Sequence, residues 1–294
     1  MNKVIQRGVR ESNGMFEANE APIGGVRFLI RQAASYLSEP DTQLMFVFDT
    51  PPTIKRQMYA DTFGDPYGYK GTRTPHGNGI ELQRRYACEL MRDVGFTVQC
   101  VEGYEADDII YTLVNSLKDD YEHIYIHTRD SDLAFLVSDN VTIEKVGTQG
   151  KHIDLGNYSV NATSKIELEY NFLNYYKLFK GDKSDNIPGL GDAWWDAVAE
   201  VLPDSEIRKL GDLNLARKYL REAVKNNPTL PDGHLVLATF NILCPLLVPE
   251  EELDFYDADI DMHKLNYYLH DWNKTEDKWD LEDMLMTYIE DCHR

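Results

Sequence analysis

A chain of 294 residues, 43% hydrophobic and 11% aromatic, has the material for one large or two medium folded domains and is too apolar to be largely disordered. Its formal net charge of −20 opposes tight non-specific binding to nucleic acid, although bound metals and local basic patches can offset clustered acids. No apolar run is long enough to span a membrane, and no basic-then-apolar signal opens the chain, so a cytoplasmic location is expected.

In chain order, Leu44-Met-Phe-Val-Phe48 is a short apolar run ended by Asp49 and Thr50-Pro51-Pro52, the pattern of a strand buried on both faces. The stretch 51–79 is rich in Gly, Pro and Tyr and carries Lys55, Arg56, Lys70 and Arg73. It is long for a plain connection, as functional loops often are. Apolar spacing predicts a helix over 79–94 and a short strand over 97–101. Glu105 opens a further helix, with Ile109, Ile110, Leu113, Val114 and Leu117 on its buried face and acids in the first turn, where the helix dipole favours them. His123-Ile-Tyr-Ile-His127 reads as a strand ending at Asp130. Beyond Ser164 the alternation fades. A helix is expected over 166–179, a loop over 181–191, and helices over 193–202, 213–225, 234–243 and 262–273. The run 236–248 reads as buried core and the acidic stretch 250–261 as solvated surface. Trp194 and Trp195 read as core anchors. Cys88, Cys100, Cys244 and Cys292 show no C-x-x-C spacing and read as reduced cysteines.

Alternating strands and helices imply a parallel α/β sheet, whose ligands bind at the carboxyl ends of its strands. Asp49 and Asp130 stand at such ends, and the helix opened by Glu105 starts from the same edge. Glu105-Ala-Asp107-Asp108, Asp130-Ser-Asp132 and Asp182-Lys-Ser-Asp185 gather seven carboxylates into three clusters. Carboxylates repel unless cations neutralise them, and hard divalent ions with oxygen ligands are the usual solution. The pattern points to metal-dependent phosphoryl transfer, and most simply to a nuclease.

Five elements occur in order: Phe46-Val-Phe-Asp49, Tyr69-Lys70-Gly-Thr-Arg73, Tyr104-Glu-Ala-Asp-Asp108, Thr128-Arg-Asp-Ser-Asp132 and Gly181-Asp-Lys-Ser-Asp-Asn-Ile-Pro-Gly189. Together they resemble the flap endonuclease and 5′→3′ exonuclease family, found in phages and as the N-terminal domain of bacterial DNA polymerase I. The resemblance implies a PIN-like (resolvase-like) parallel sheet flanked by helices, followed by a mostly helical helix-three-turn-helix domain. The corresponding domains are a catalytic part, 1–165, with an arch region at about 51–79, and a duplex-binding part, 166–294.

The implied reaction is phosphodiester hydrolysis by two Mg²⁺ ions roughly 4 Å apart, with Mn²⁺ as a substitute. Glu105, Asp107, Asp108 and Asp130 would serve the first ion and Asp132, Asp182 and Asp185 the second. Asp49 would be a further ligand or support one. Lys70 and Arg73 would neutralise the scissile phosphate, with Lys55 and Arg56 as further phosphate contacts. Tyr59, Phe63, Tyr67 and Tyr69 either stack on unpaired bases or pack against their own scaffold. Gly189 and Gly191 would bring backbone amides to a duplex phosphate, with a monovalent cation at that loop. The expected partners are DNA with 5′ ends or flaps, RNA–DNA hybrids and replication proteins, in host cytoplasm if the chain is phage-encoded.

Three departures qualify the likeness. The family opens with a central strand ending in Asp-Gly, and no such pair stands near Met1. The glycine loop is short, with Asp192 where a basic residue is usual. The Asp49-to-Tyr69 spacing also differs. Two alternatives therefore stand beside the nuclease: an inactive or truncated DNA-junction-binding accessory protein, and a PIN-like ribonuclease.

Overall fold

A computed structural model describes residues 42–65, 67–73, 78–128, 130–145, 152–154, 159–163, 166–169, 172–256 and 258–265, with short stretches at 17–18, 21–22, 29–30 and 33. The strands are β1 (Glu17–Ala18), β2 (Ala21–Pro22), β3 (Met45–Val47), β4 (Thr97–Gln99), β5 (Ile124–Thr128), β6 (Val141–Lys145), β7 (His152–Ile153), β8 (Ser159–Thr163) and β9 (Ile166–Glu169). The α-helices named here are α1 (Thr53–Phe63), α2 (Asn78–Val94), α3 (Ala106–Leu117), α4 (Leu173–Lys180), α5 (Asp192–Val201), α6 (Leu213–Asn226) and α7 (Gly233–Leu243). The chain divides into two compact units, one of Met1–Thr50, Pro75–Val101 and Pro249–Arg294, the other of Pro51–Thr74 and Glu102–Val248.

In the first unit β3 pairs with β4 in parallel, as expected, through a crossover that contains α2. Phe46, Val47 and Phe48 are buried in succession, so both faces of β3 are covered. The Phe46 ring meets Phe96 edge-on at 5.1 Å. The acidic stretch after Pro249 does more than face solvent. Its side chains are mostly exposed, but its backbone is stitched along 94–99. Thr97 donates to the Tyr256 carbonyl (2.9 Å), Asp254 N–H to Gln99 Oε1 (3.1 Å) and Asp261 N–H to the Val94 carbonyl (2.7 Å). Gly95 lies at φ +101°, and a Cβ there would come 1.8 Å from the Asp259 carbonyl oxygen, so this closure requires glycine.

In the second unit β5 pairs in parallel with β6, and β6 antiparallel with β7. The core gathers Val114 of α3 with Tyr175, Phe179, Trp194, Leu220, Val236 and Phe240, and Ile109 and Leu113 of the same helix are buried as well. Trp194 is the anchor expected of it: it is 1% exposed and its indole N–H donates to the Pro231 carbonyl at 2.8 Å.

Two sequence expectations are corrected. Residues 166–169 form β9, antiparallel to β8, rather than the start of a helix. Ile166-Glu-Leu-Glu169 alternates with a period of two, and that strand signal outweighs the helical spacing that begins only at α4. The stretch 51–79 is not plain loop: Thr53–Phe63 is helical. Few of its residues are buried, so α1 lacks the apolar stripe that would have marked it. Of the helix expected over 262–273, residues 262–265 are helical and the rest lie outside the described residues. Among the described residues no helix is long and apolar enough to cross a membrane.

Candidate active site

The second unit brings three sequence-distant motifs together. Glu105 takes an extended conformation at the N-cap of α3, and its N–H donates to Asp108 Oδ2 at 2.9 Å, which returns the carboxylate to the first turn. Lys55, on α1, is only 3% exposed, and its ammonium lies 3.2 Å from Glu105 Oε2 and 2.9 Å from Asp108 Oδ1. The Tyr69 hydroxyl donates to Glu105 Oε2 at 2.8 Å, and Lys70 pairs with Glu105 Oε1. Asp108, 1% exposed, also accepts from Leu246 N–H at 2.7 Å. Both of its oxygens are therefore committed to structure.

Burial pushes the Glu105 carboxyl upward, but Lys55 and Lys70 outweigh that and hold it at about 2. Burial likewise disfavours the Lys55 charge. Asp108 and Glu105 reverse the effect and leave the ammonium held above its ordinary value. An unpaired charge at such depth would cost several kcal/mol, so this cluster is stable only as a set.

A second cluster forms between α4 and the 181–191 loop. Lys177, near the end of α4, bridges Asp132 Oδ2 (2.5 Å) and Asp182 Oδ2 (2.9 Å). Asp182 Oδ1 accepts from Ser184 N–H (2.8 Å), Ser184 Oγ–H (2.6 Å) and Asp185 N–H (3.3 Å), a turn-capping pattern. Burial raises the Asp182 carboxyl, while Ser184 and Lys177 bring it down to about 2.

The stretch after α1 is laced to this loop. Tyr59 O–H donates to the Asn186 carbonyl (2.8 Å), Asn186 Nδ2 to the Gly68 carbonyl (2.9 Å) and Lys70 N–H to the Asp185 carbonyl (3.0 Å). Arg73 donates to the Ser184 carbonyl (3.0 Å) and pairs with the Asp185 carboxylate. Lys70 adopts a left-handed φ of +56°, an uncommon geometry for a lysine that aims its side chain at the acids.

The expected site residues fall out as follows. Glu105, Asp108, Asp185, Lys70 and Arg73 share one network, and Asp132 and Asp182 share another. Asp107 is half-buried in the first turn of α3, and Asp130 is half-buried after β5, where its carboxylate accepts from Asp132 N–H at 3.2 Å. Asp49 belongs to the first unit, where its carbonyl accepts from Arg84. Arg56 is exposed on α1. Lys55 is corrected from a phosphate contact to a buried counter-ion. Tyr59 and Tyr69 pack in the scaffold with Ile187 and Ile242, whereas Tyr67 is 84% exposed. Gly189 has no room for a Cβ, which would come 2.6 Å from the Phe179 carbonyl oxygen. The Gly191 N–H already donates to that carbonyl at 2.9 Å.

Sequence reasoning missed Lys55, Lys177 and the Tyr69 hydroxyl as partners of the acids. The only available signal was the need of clustered carboxylates for cations, which lysines satisfy as well as metals do. Among the described residues, no three His, Cys, Asp or Glu side chains come together as metal ligands do. The donor chemistry nonetheless fits a hard divalent ion, being all oxygen and anionic, and lysines already occupy the cation positions between paired carboxylates.

The chain is 30% identical over 256 residues to DNA polymerase I of Caldicellulosiruptor bescii, an alignment covering 86% of this chain and 29% of that protein. The chain thus spans about three tenths of that relative's length. In fold it resembles the catalytic core of Rad2 in complex with a DNA substrate, with a TM-score of 0.52 at 16% identity, covering 98% of this chain and 88% of that one. It also resembles the T5 D15 protein co-crystallised with metal ions, with a TM-score of 0.51 at 14% identity, covering 98% and 97%. Residues 6–164 match the 5′-3′ exonuclease N-terminal resolvase-like domain, more than half of the chain, and the chain belongs to that family.

Proposed function

We propose that this chain is a divalent-metal-dependent 5′→3′ exonuclease and flap endonuclease acting on DNA. One observation carries the reading: the Tyr69–Arg73 basic element, the start of α3 and the 182–187 loop meet on Glu105 and Asp185. An acidic pocket edged by basic side chains is what phosphodiester hydrolysis requires, since the site must hold both cations and a phosphate.

In this proposal Glu105, Asp107 and Asp130 form one set of oxygen donors and Asp132, Asp182 and Asp185 the other, with Asp108 as an anchor for the first. Mg²⁺, when bound there, supplies charge neutralisation and an activated water. Lys70 and Arg73 exchange their carboxylate partners for the phosphate. Arg73, with 52% of its side chain exposed, is the freer of the two. Tyr67 is free to stack on an unpaired base. The division into a catalytic part, 1–165, and a duplex-binding part, 166–294, belongs to the same proposal, as do cleavage of RNA–DNA hybrids, work beside replication proteins and action in the cytoplasm.

A second reading has its own support. The acids are already neutralised by lysines, which suits a protein that binds DNA junctions without cutting them. The decisive experiment is cleavage of a 5′-labelled flap duplex in Mg²⁺ and in EDTA, with an Asp107→Ala variant alongside and binding to the same duplex measured in parallel. Metal-dependent cutting near the junction, lost in the variant while binding persists, supports the nuclease. Folded protein that binds the flap and leaves it uncut overturns it in favour of the second reading.

A further inference from the structure

Two turns of the second unit clasp one another through their backbones. Asp182 N–H donates to the Ile187 carbonyl (2.9 Å) and Ile187 N–H to the Asp182 carbonyl (2.8 Å), so residues 183–186 are closed into a turn. Asn186 stands last in it, at a left-handed φ of +61° that asparagine tolerates better than most residues. Its backbone carbonyl accepts from the Tyr59 hydroxyl (2.8 Å), and its side-chain Nδ2 donates to the Gly68 carbonyl (2.9 Å).

The Gly68 carbonyl is also the closing acceptor of the second turn. Gly71 N–H donates to it at 3.0 Å, and Lys70, the third residue of that turn, has a φ of +56°. A β-turn with positive φ at its third residue normally places glycine or asparagine there. A lysine holds such a conformation only where its surroundings over-determine the backbone. Three contacts do so. Asn186 Nδ2 fixes the first residue of the turn, and the Asp185 carbonyl fixes the third by accepting from Lys70 N–H at 3.0 Å. The Tyr59 ring closes off the space beside Gly68, where a Cβ would come 2.0 Å from its Cε1. Arg73 N–H then donates to the Lys70 carbonyl at 3.1 Å, so the same turn sets where Arg73 leaves the chain. Two of the three contacts come from the loop that carries Asp182 and Asp185. Lys70 and Arg73 are thus set against the acids by backbone as well as by charge.

We propose that Asn186 is a positioning residue for phosphodiester cleavage, with Tyr59 as its support. The inference rests on the nuclease reading above, in which Lys70 and Arg73 leave their carboxylates for the phosphate. Once they leave, their ion pairs no longer locate them, and the Asn186–Gly68 bond still does. Preorganised charge needs no rearrangement during the reaction, and a small misplacement of such groups costs up to about 10²-fold in rate. Affinity for DNA is spread over many phosphate contacts, so the loss should fall on kcat rather than on KM.

Asn186→Gly supplies the test, because it keeps the positive φ without steric cost and removes the side-chain donor. Steady-state cleavage of the 5′-labelled flap duplex in Mg²⁺ should show kcat at least roughly tenfold lower, with KM within about twofold of wild type. Asn186→Asp, which turns an acceptor toward the Gly68 carbonyl, should fall as far. Tyr59→Phe keeps the ring and loses the hydroxyl, and a loss of roughly threefold in kcat is expected. Amide hydrogen exchange of the free protein reads the same bond without catalysis. In Asn186→Gly the Lys70 and Gly71 N–H groups should exchange at least roughly tenfold faster than in wild type, while those of α6 keep their rates. Wild-type exchange at Lys70 and Gly71 in that variant would overturn the proposal, as would faster exchange with unchanged kcat or a loss confined to KM. Faster exchange throughout α6 as well would make Asn186 a general stabiliser and not a positioning residue. A wild type that leaves the flap uncut sinks the nuclease reading instead, and the exchange rates then decide by themselves whether Asn186 holds the Lys70 turn.

Discussion

The two lysine-centred clusters of the second unit use the same chemistry to different degrees of closure. Around Lys55 every group is deep: the lysine side chain is 4% exposed, Glu105 10% and Asp108 1%. Around Lys177 the lysine is 18% exposed and Asp132 43%, so one end of that bridge is wet. Coulomb attraction is screened where water reaches the pair and strong where it does not, and so is the penalty for leaving a charge unpaired. The buried cluster therefore behaves as part of the fold, and the half-open one as a place where a cation can be exchanged.

The sharpest way to break this comparison is to remove one acid from each cluster. Asp108→Ala takes the nearer carboxylate from the deeply buried Lys55 ammonium and leaves it on Glu105, frees the buried Leu246 amide and removes the bond from Glu105 N–H. The expected loss is about 3–5 kcal/mol of stability in a denaturant titration. Asp132→Ala removes a half-exposed partner while Asp182 still holds Lys177, so about 1 kcal/mol or less is expected. Equal losses in the two variants would remove the distinction. This also makes Asp107→Ala, with its half-buried side chain, a cleaner probe of catalysis than any change at Asp108.

Acid sharpens the same contrast with a somewhat smaller effect. Glu105 titrates at about 2 in the fold against an ordinary 4.5. A depressed carboxyl contributes stability that is fully present above the unfolded value and is lost as pH falls through the folded one. The loss should therefore run from about pH 4.5 down to about 2, on the order of 3 kcal/mol from this group. Thermal melts of the wild type and Glu105→Gln across that range measure it. The variant starts less stable at neutral pH, and the gap narrows toward pH 2. A gap that stays constant with pH would mean that Glu105 is not held by its lysines.

Much of this was legible in the sequence, and the limits are physical. β3, α3 and the helices after Gly181 follow from apolar periodicity, which reports burial of one face. Helix α1 carries little of that signal, because what it buries is chiefly a lysine and a tyrosine. The carboxylate clusters were legible because like charges at short spacing demand a cation. Which cation was not legible. Lys55 meets Glu105 across fifty positions of chain, and Lys177 meets Asp132 across forty-five. Local patterns carry no information on such pairings. The backbone stitching of 254–261 was hidden for the same reason, since main-chain donors leave no mark on side-chain composition.

A modest effect at Lys177 bears most directly on the difference between the clusters. Lys177→Met leaves Asp182 with the Ser184 and Asp185 donors it already has, so the carboxylate is not stranded and a loss of about 1–2 kcal/mol is expected. The two acids then face one another across a site that has lost its ammonium, and a divalent ion binding there stabilises the fold in proportion to its affinity. Mg²⁺ should accordingly raise the melting temperature of Lys177→Met more than that of the wild type. Lys55→Met should gain less, because the Asp108 oxygens remain tied to the Glu105 and Leu246 amides and have little to offer an ion. Melting curves of the three proteins with Mg²⁺ and with EDTA decide the matter without reference to cleavage. A larger Mg²⁺ response in Lys55→Met would reverse the assignment and make the buried cluster the exchangeable one.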